Sequence, residues 1–189
     1  CLGLTALMNM PFLFNPGIRK VREILESGAL GKIYYIHATR TNLGPIREDG
    51  NALWDLASHD LSIFQYWLDA VPREVTAHGE SFLHDGVEDV VVASYRYPGN
   101  ILACVHASWL NPRKVREITV VGDRKMIVWS DMDVIEPVRL YDKNVRTRRD
   151  PEYADSLGGF QTQIRDGDVL IPHVAGGEPV AAECEHFIQ

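Results

Sequence analysis

Beyond Pro72 almost every segment of the chain is extended. Residues 73–82, 89–97, 101–109, 116–121, 125–130 and 137–141 are short runs rich in β-branched and aromatic side chains, which suit a pleated surface. Pro98-Gly99-Asn100 links two of these runs and Gly122-Asp123-Arg124 links another two. Connections this short join antiparallel neighbours, because a parallel partner needs a crossover of about a dozen residues or more. Such a sheet must bury one face, and the helical segments that precede and follow the strands are what can cover it. The expectation is an α+β fold: an open, mostly antiparallel β-sheet with helices packed on one face.

The helical segments are marked by their ends. Asn15 can cap free amides and Pro16 tolerates the first turn, after which Ile18, Val21, Leu25 and Ala29 recur at helical spacing, with Gly28 and Gly31 as the stop. Residues 32–42 (KIYYIHATRTN) then read as a strand ended by Gly44 and Pro45. A second helix is expected from Asn51 through Ala52, Leu53, Leu56, Leu61, Phe64, Trp67 and Leu68 to Pro72, and residues 179–187 start a third. Residues 144–151 are charged and aperiodic, and read as an exposed loop.

At 189 residues and 46% apolar content the chain can build one substantial core. Its net charge of −7, with basic residues scattered apart from Arg146, Arg148 and Arg149, argues against nucleic acid as a partner. No run reaches the roughly 20 apolar residues that span a bilayer, and the apolar opening lacks the basic flank of a signal peptide, so no membrane association and a cytoplasmic location are expected. Cys1, Cys104 and Cys184 are odd in number and far apart, which suits free thiols, the last two as small core residues. The chain starts on Cys1 and ends on Gln189 inside a helical pattern, so both ends read as cut.

Chemistry is concentrated in Gly50-Asn51-Ala52-Leu53-Trp54-Asp55-Leu56-Ala57-Ser58-His59-Asp60. On a helix, Asp55 and His59 share one face with Cβ atoms about 5–6 Å apart. A carboxylate beside an imidazole favours the protonated ring and orients it, and a pKa near 6.5 makes that ring a usable proton acceptor at neutral pH. Spacing alone favours a surface pair or a helix-supporting contact over catalysis, and a core histidine at the helix–sheet interface is a further reading.

The runs Phe12-Leu13-Phe14-Asn15-Pro16-Gly17-Ile18-Arg19, Glu26-Ser27-Gly28-Ala29-Leu30-Gly31-Lys32-Ile33 and Asp55-x-x-x-His59-Asp60, with Gly86-Val87-Glu88-Asp89, His106-Ala107-Ser108-Trp109 and residues 116–125 (REITVVGDRK), resemble the Gfo/Idh/MocA oxidoreductase family in order along nearly the whole chain. The resemblance implies the C-terminal α+β substrate domain of an NAD- or NADP-dependent dehydrogenase. It makes His59 the general base and Asp55 the residue that orients it and the substrate hydroxyl. It also implies a sugar or polyol substrate and a homo-oligomer formed through the sheet face. The family's Rossmann domain has no counterpart here, since the sequence holds no Gly-x-Gly-x-x-Gly and no Glu-Lys-Pro. Residues 1–11 are accordingly expected to be the remnant of the last nucleotide-domain strand (residues 4–10) and its hinge, and residues 12–189 the substrate domain, truncated at its C-terminus and inactive alone.

Family architecture puts the gap between the first strand and the second helix beside the substrate. Arg40, Asn42 and Asn51, with Thr41 and His37 nearby, are therefore candidate contacts. Asn111, Arg113 and Lys114 follow Trp109, either reaching an acidic or nucleotide-linked sugar or forming a solvated turn; of these Arg113 is the candidate contact. His37, His59, His84 and His106 with Asp55, Asp60 and Asp85 show no recognised metal-ligand spacing, and no metal is expected. Two competing functions remain, a non-catalytic interaction module that uses the open sheet face and a metal-dependent hydrolase or lyase built on Asp55, His59 and Asp60.

Overall fold

The computed structural model describes residues 8–149 and 160–188. A 3₁₀ turn (Pro11–Phe14) leads into helix α1 (Pro16–Glu26), where the Asn15 side chain accepts from the amides of Gly17 and Ile18 and so satisfies two free donors of the first turn. The chain then enters strand β1 (Ile33–Leu43). The corner between them is tight: Gly31 has φ 69°, and a side chain there would strike Asp123. Lys32 and Leu30 meet the turn at residues 122–125 through backbone bonds from Asp123 to Lys32 and from Arg124 to Leu30.

A π-turn (Leu53–Ala57) precedes helix α2 (Ser58–Leu68), which ends where Asp69 takes the left-handed conformation, short of Pro72. Ile63, Phe64 and Trp67 bury one side of α2. Each contributes about 1.5–3 kcal/mol of apolar burial, which outweighs the few tenths by which aromatic and β-branched residues disfavour a helix. Strands β2 (Glu74–Glu80), β3 (Val90–Tyr97), β4 (Ile101–Ser108), β5 (Leu110–Gly122), β6 (Met126–Ser130), β7 (Val138–Arg149) and β8 (Phe160–Leu170) follow, then helix α3 (Pro179–Ile188).

The described strands form one sheet in the order β2-β3-β4-β1-β5-β6-β7-β8. Only β1 and β4 run parallel, and every other neighbour pair is antiparallel. One face alternates into the core through Ile36 and Ala38 on β1, Ala93 and Tyr95 on β3, Ala103 and Val105 on β4, Ile118 and Val120 on β5, and Ile127 and Trp129 on β6. The cluster continues through Ile18 and Val21 of α1 and the buried residues of α2, so these helices cover that face as expected. On the other face Tyr35, His37, Val92 and Leu102 are exposed.

Several expectations change. Residues 144–149 are the end of β7, paired through Arg149↔Phe160, because a ladder needs only backbone groups and sets no apolar alternation on a polar ribbon; residues 150 and 151 lie outside the described residues. Asn111, Arg113 and Lys114 belong to β5 rather than to a turn: the register passes from Thr41↔Val115 to Leu43↔Leu110, leaving residues 111–114 as a bulge opposite Asn42. Cys104 is only half-buried and Cys184 is exposed, so neither thiol is a core residue. Of the expected strand at 4–10, Met8 to Met10 carry no regular structure and the rest, like Cys1, lies outside the described residues.

Candidate active site

The candidate pair sits where β1 hands the chain to α2. Asn51 organises this corner: its carbonyl accepts the Asp55 amide at 3.0 Å, its side-chain oxygen accepts the Trp54 amide at 3.0 Å, and its amide nitrogen donates to Glu88 at 2.7 Å. The Ala52 amide donates to the Glu88 carbonyl at 2.8 Å, so the segment before β3 holds the start of the π-turn. The wide turn places Asp55 just ahead of the regular helix that carries His59.

Asp55 has a partner on each oxygen. Oδ2 accepts the indole N–H of Trp109 at 3.0 Å, and Oδ1 pairs with Arg47 Nε at 2.9 Å. No hydrogen bond joins Asp55 to His59. The imidazole is half-buried, packs on the Phe12 ring with centroids 5.2 Å apart, and leaves Nδ1 buried without a hydrogen-bond partner.

The neighbouring carboxylate does favour the protonated ring, as expected, but it is outweighed. Burial holds the His59 pKa below its ordinary value of 6.5, and the Arg40 charge pushes the same way, followed by Arg116. Asp60 and Asp55 pull upward and do not prevail. The balance disfavours the protonated imidazole.

Arg40 is 2% exposed and Asp60 1% exposed. They form a bidentate pair, Nε to Oδ2 at 2.9 Å and Nη2 to Oδ1 at 2.7 Å, and the Arg40 guanidinium lies 4.4 Å from the Phe12 ring centre. Arg116, beside Arg40 in the register, pairs with Asp131 at 3.0 Å and also approaches Phe12, at 5.9 Å. Phe12 therefore touches both the imidazole and the cations that bias it.

Of the residues expected from sequence, Asp55, His59, Arg40 and Asn51 are gathered in this corner, with two donors of Arg40 engaged by Asp60 and both ends of the Asn51 amide engaged as well. Asn42 lies at the edge, its amide against Gly44, where a side chain would collide with it. Arg113 is exposed, and its carbonyl accepts from Thr41 Oγ1 at 3.1 Å. Among the described residues no hydrogen bond or ion pair ties Asn42 or Arg113 to Asp55 or His59. His37 and His106 lie in register rows on the opposite sheet face, and among the described residues no three His, Cys, Asp or Glu side chains are grouped to hold a metal ion. No helix of the described residues is long and apolar enough to cross a membrane.

Arg47, Trp109, Phe12 and Arg116 were not expected as site residues. Phe12 and Trp109 stand in the runs that carry the family resemblance, but their contacts to residues 59 and 55 span dozens of positions and leave no periodic trace.

A family model described as the GFO/IDH/MocA C-terminal domain matches residues 18–128. No curated protein matches the chain. Among solved structures, one from Magnetospirillum magnetotacticum MS-1 is similar at TM-score 0.73 and 20% identity, covering 98% of this chain and 55% of that one. An inositol dehydrogenase homolog from Azotobacter vinelandii, complexed with NADH and myo-inositol, is similar at TM-score 0.63 and 18% identity, covering 84% and 41%. The WlbA dehydrogenase from Bordetella pertussis, in complex with NADH and UDP-GlcNAcA, is similar at TM-score 0.60 and 20% identity, covering 67% and 40%. The chain thus spans about half the length of the structures it resembles, or less. At these identities the likeness is one of fold.

Proposed function

The chain belongs to the GFO/IDH/MocA C-terminal domain family, and from that premise we propose that it is the substrate-binding and catalytic domain of an NAD(P)-dependent oxidoreductase acting on a secondary alcohol of a sugar, nucleotide sugar or cyclitol. The observation that carries this reading is the corner itself: a half-buried His59 imidazole on the Phe12 ring, with burial and Arg40 disfavouring its protonation, and an Asp55 carboxylate held by Trp109 instead of by the imidazole. Oxidising an alcohol requires the hydroxyl proton to leave as hydride departs from the same carbon. His59 takes the proton of the reacting hydroxyl, and Asp55 accepts a hydrogen bond from a neighbouring hydroxyl of the substrate, which orients it. Asn42 and Arg113 are assigned to the rest of the substrate. Arg40 and Asn51 act on it indirectly, through His59 and Asp55.

The residues present do not fit a dinucleotide. Among the described residues no strand runs through a Gly-x-Gly-x-x-Gly turn into a helix, so a pyrophosphate cradle is lacking. The reading assigns NAD or NADP to a separate Rossmann domain and takes the chain by itself to be without turnover. Only the proton side of the reaction is derived from these residues. The A. vinelandii homolog with myo-inositol and WlbA with UDP-GlcNAcA support a polyol or sugar substrate class.

The test uses the chain joined to its upstream reading frame, with NAD and NADP and a panel of polyols and nucleotide sugars. His59→Ala is expected to lower kcat by about 10²–10⁴-fold, the usual contribution of a general base. Unchanged turnover in that variant would remove His59 from the chemistry.

A second, compatible reading concerns the uncovered sheet face. Tyr35 is 44% exposed beside Leu102, its register partner, and Val92 is 53% exposed on β3. The occupant we assign to that face is a second copy of this chain, which makes the protein a homo-oligomer.

A further inference from the structure

Three buried tryptophans in this protein use their indole N–H groups differently. Trp67 donates to the Ile18 carbonyl at 3.0 Å, which is a packing role, and Trp129 leaves its N–H without a partner. Trp109, fully buried at the end of β4, donates to the Asp55 carboxylate. It does so from a small core of its own, with Ala52 and Val91 and with Leu53, Leu56 and Val87 packed around them. Phenylalanine would fill that space nearly as well. What it would lack is the donor.

The indole is fixed from behind. The Trp109 amide donates to the Asp89 carbonyl at 3.0 Å, and buried Asp89 in turn accepts the Phe82 and Leu83 amides on one carboxylate oxygen. On the far side of Asp55 the arrangement is looser. Arg47 is 52% exposed, and an ion pair at such a site contributes only about 0–1 kcal/mol, so it exchanges readily for another partner. One oxygen of Asp55 is held by a buried, doubly anchored donor and the other by a replaceable surface cation.

We infer that Trp109 is a positioning residue for Asp55: by holding Oδ2 it presents Oδ1 to a substrate hydroxyl beside the reacting one, with Arg47 occupying that oxygen until substrate displaces it. The inference rests on the proposed role of Asp55. It gives the carboxylate an orientation that the π-turn, outside the regular helix, does not supply by itself.

The experiment compares Trp109→Phe with Val91→Ala, a change in the same small core that leaves the indole in place, in the chain joined to its upstream reading frame. Trp109→Phe is expected to lower kcat about 10- to 100-fold with KM within about threefold, as loss of a hydrogen bond to a charged group predicts. Val91→Ala is expected to lower Tm at least as much while leaving kcat within about twofold. In parallel, the 189-residue chain with Asp55→Asn should shift the Trp109 indole N–H resonance and spare those of Trp67 and Trp129. Equal kcat losses in Trp109→Phe and Val91→Ala would reduce Trp109 to a packing residue and overturn the inference, as would an unmoved indole resonance or an unfolded Trp109→Phe whose Trp109→His counterpart, which keeps an N–H donor, restores the fold but not kcat. If Asp55→Asn retains full turnover, the catalytic reading of Asp55 fails instead, and the inference falls with its premise.

Discussion

Arg40 and Asp60 form a buried pair inside the core, and their charges add to the effect of burial on the protonation of His59. Desolvation and the Arg40 charge lower its pKa, while Asp60, next to it in sequence, opposes them. Asp60→Asn removes the upward pull and leaves Arg40 unanswered, so the His59 pKa should fall further and the acid limb of kcat/KM should move to lower pH. NMR titration of the His59 ring checks the first and a pH–rate profile the second; a limb that moves to higher pH would refute the sign. Deleting one partner of a buried pair also costs about 3–5 kcal/mol, so the variant should melt earlier. The sequence made the Asp55–His59 spacing visible. It did not show that the carboxylate turns to Trp109 and Arg47 instead of the imidazole, because those partners arrive from a strand end and a loop.

At the level of elements, what was legible followed local rules. Asn15-Pro16 announced α1, and its cap is realised by two bonds from Gly17 and Ile18 at 2.8 and 3.2 Å. Asn15→Ala should therefore cost about 1 kcal/mol, which a thermal melt would register as a Tm lower by about 2–4 °C; no change would mean that packing alone starts the helix. Elements were missed where the backbone is organised by a distant neighbour. The bulge at 111–114 exists because β5 must pair with β1 past Asn42, and 144–149 is strand because β8 returns to pair with it. The π-turn at Asp55 is likewise invisible to a 3.6-residue pattern. Glu88, 37 positions from Asn51, braces its start.

The whole molecule is a sheet with one face under helices and one face open, and that asymmetry carries its own prediction. Tyr35→Glu combined with Val92→Glu places charges on exposed positions, where substitutions usually cost within about 0.5 kcal/mol of stability. If the open face joins two copies, light scattering should show the native mass halved in the double variant with Tm nearly unchanged; an unaltered mass would place any interface elsewhere. Hydrophobic alternation and short turns sufficed to read an α+β fold with a mostly antiparallel sheet, since both act over a few residues. Family resemblance, which the match over residues 18–128 bears out, directed attention to Asp55 and His59. Strand order, the pairing of β1 with β4 as the one parallel pair among the described strands, and the burial that lowers the His59 pKa depend on contacts between distant segments. A reading of neighbours along the chain holds no term for those contacts, and so the surroundings that bias the imidazole the sequence pointed to were decided only by what folds around it.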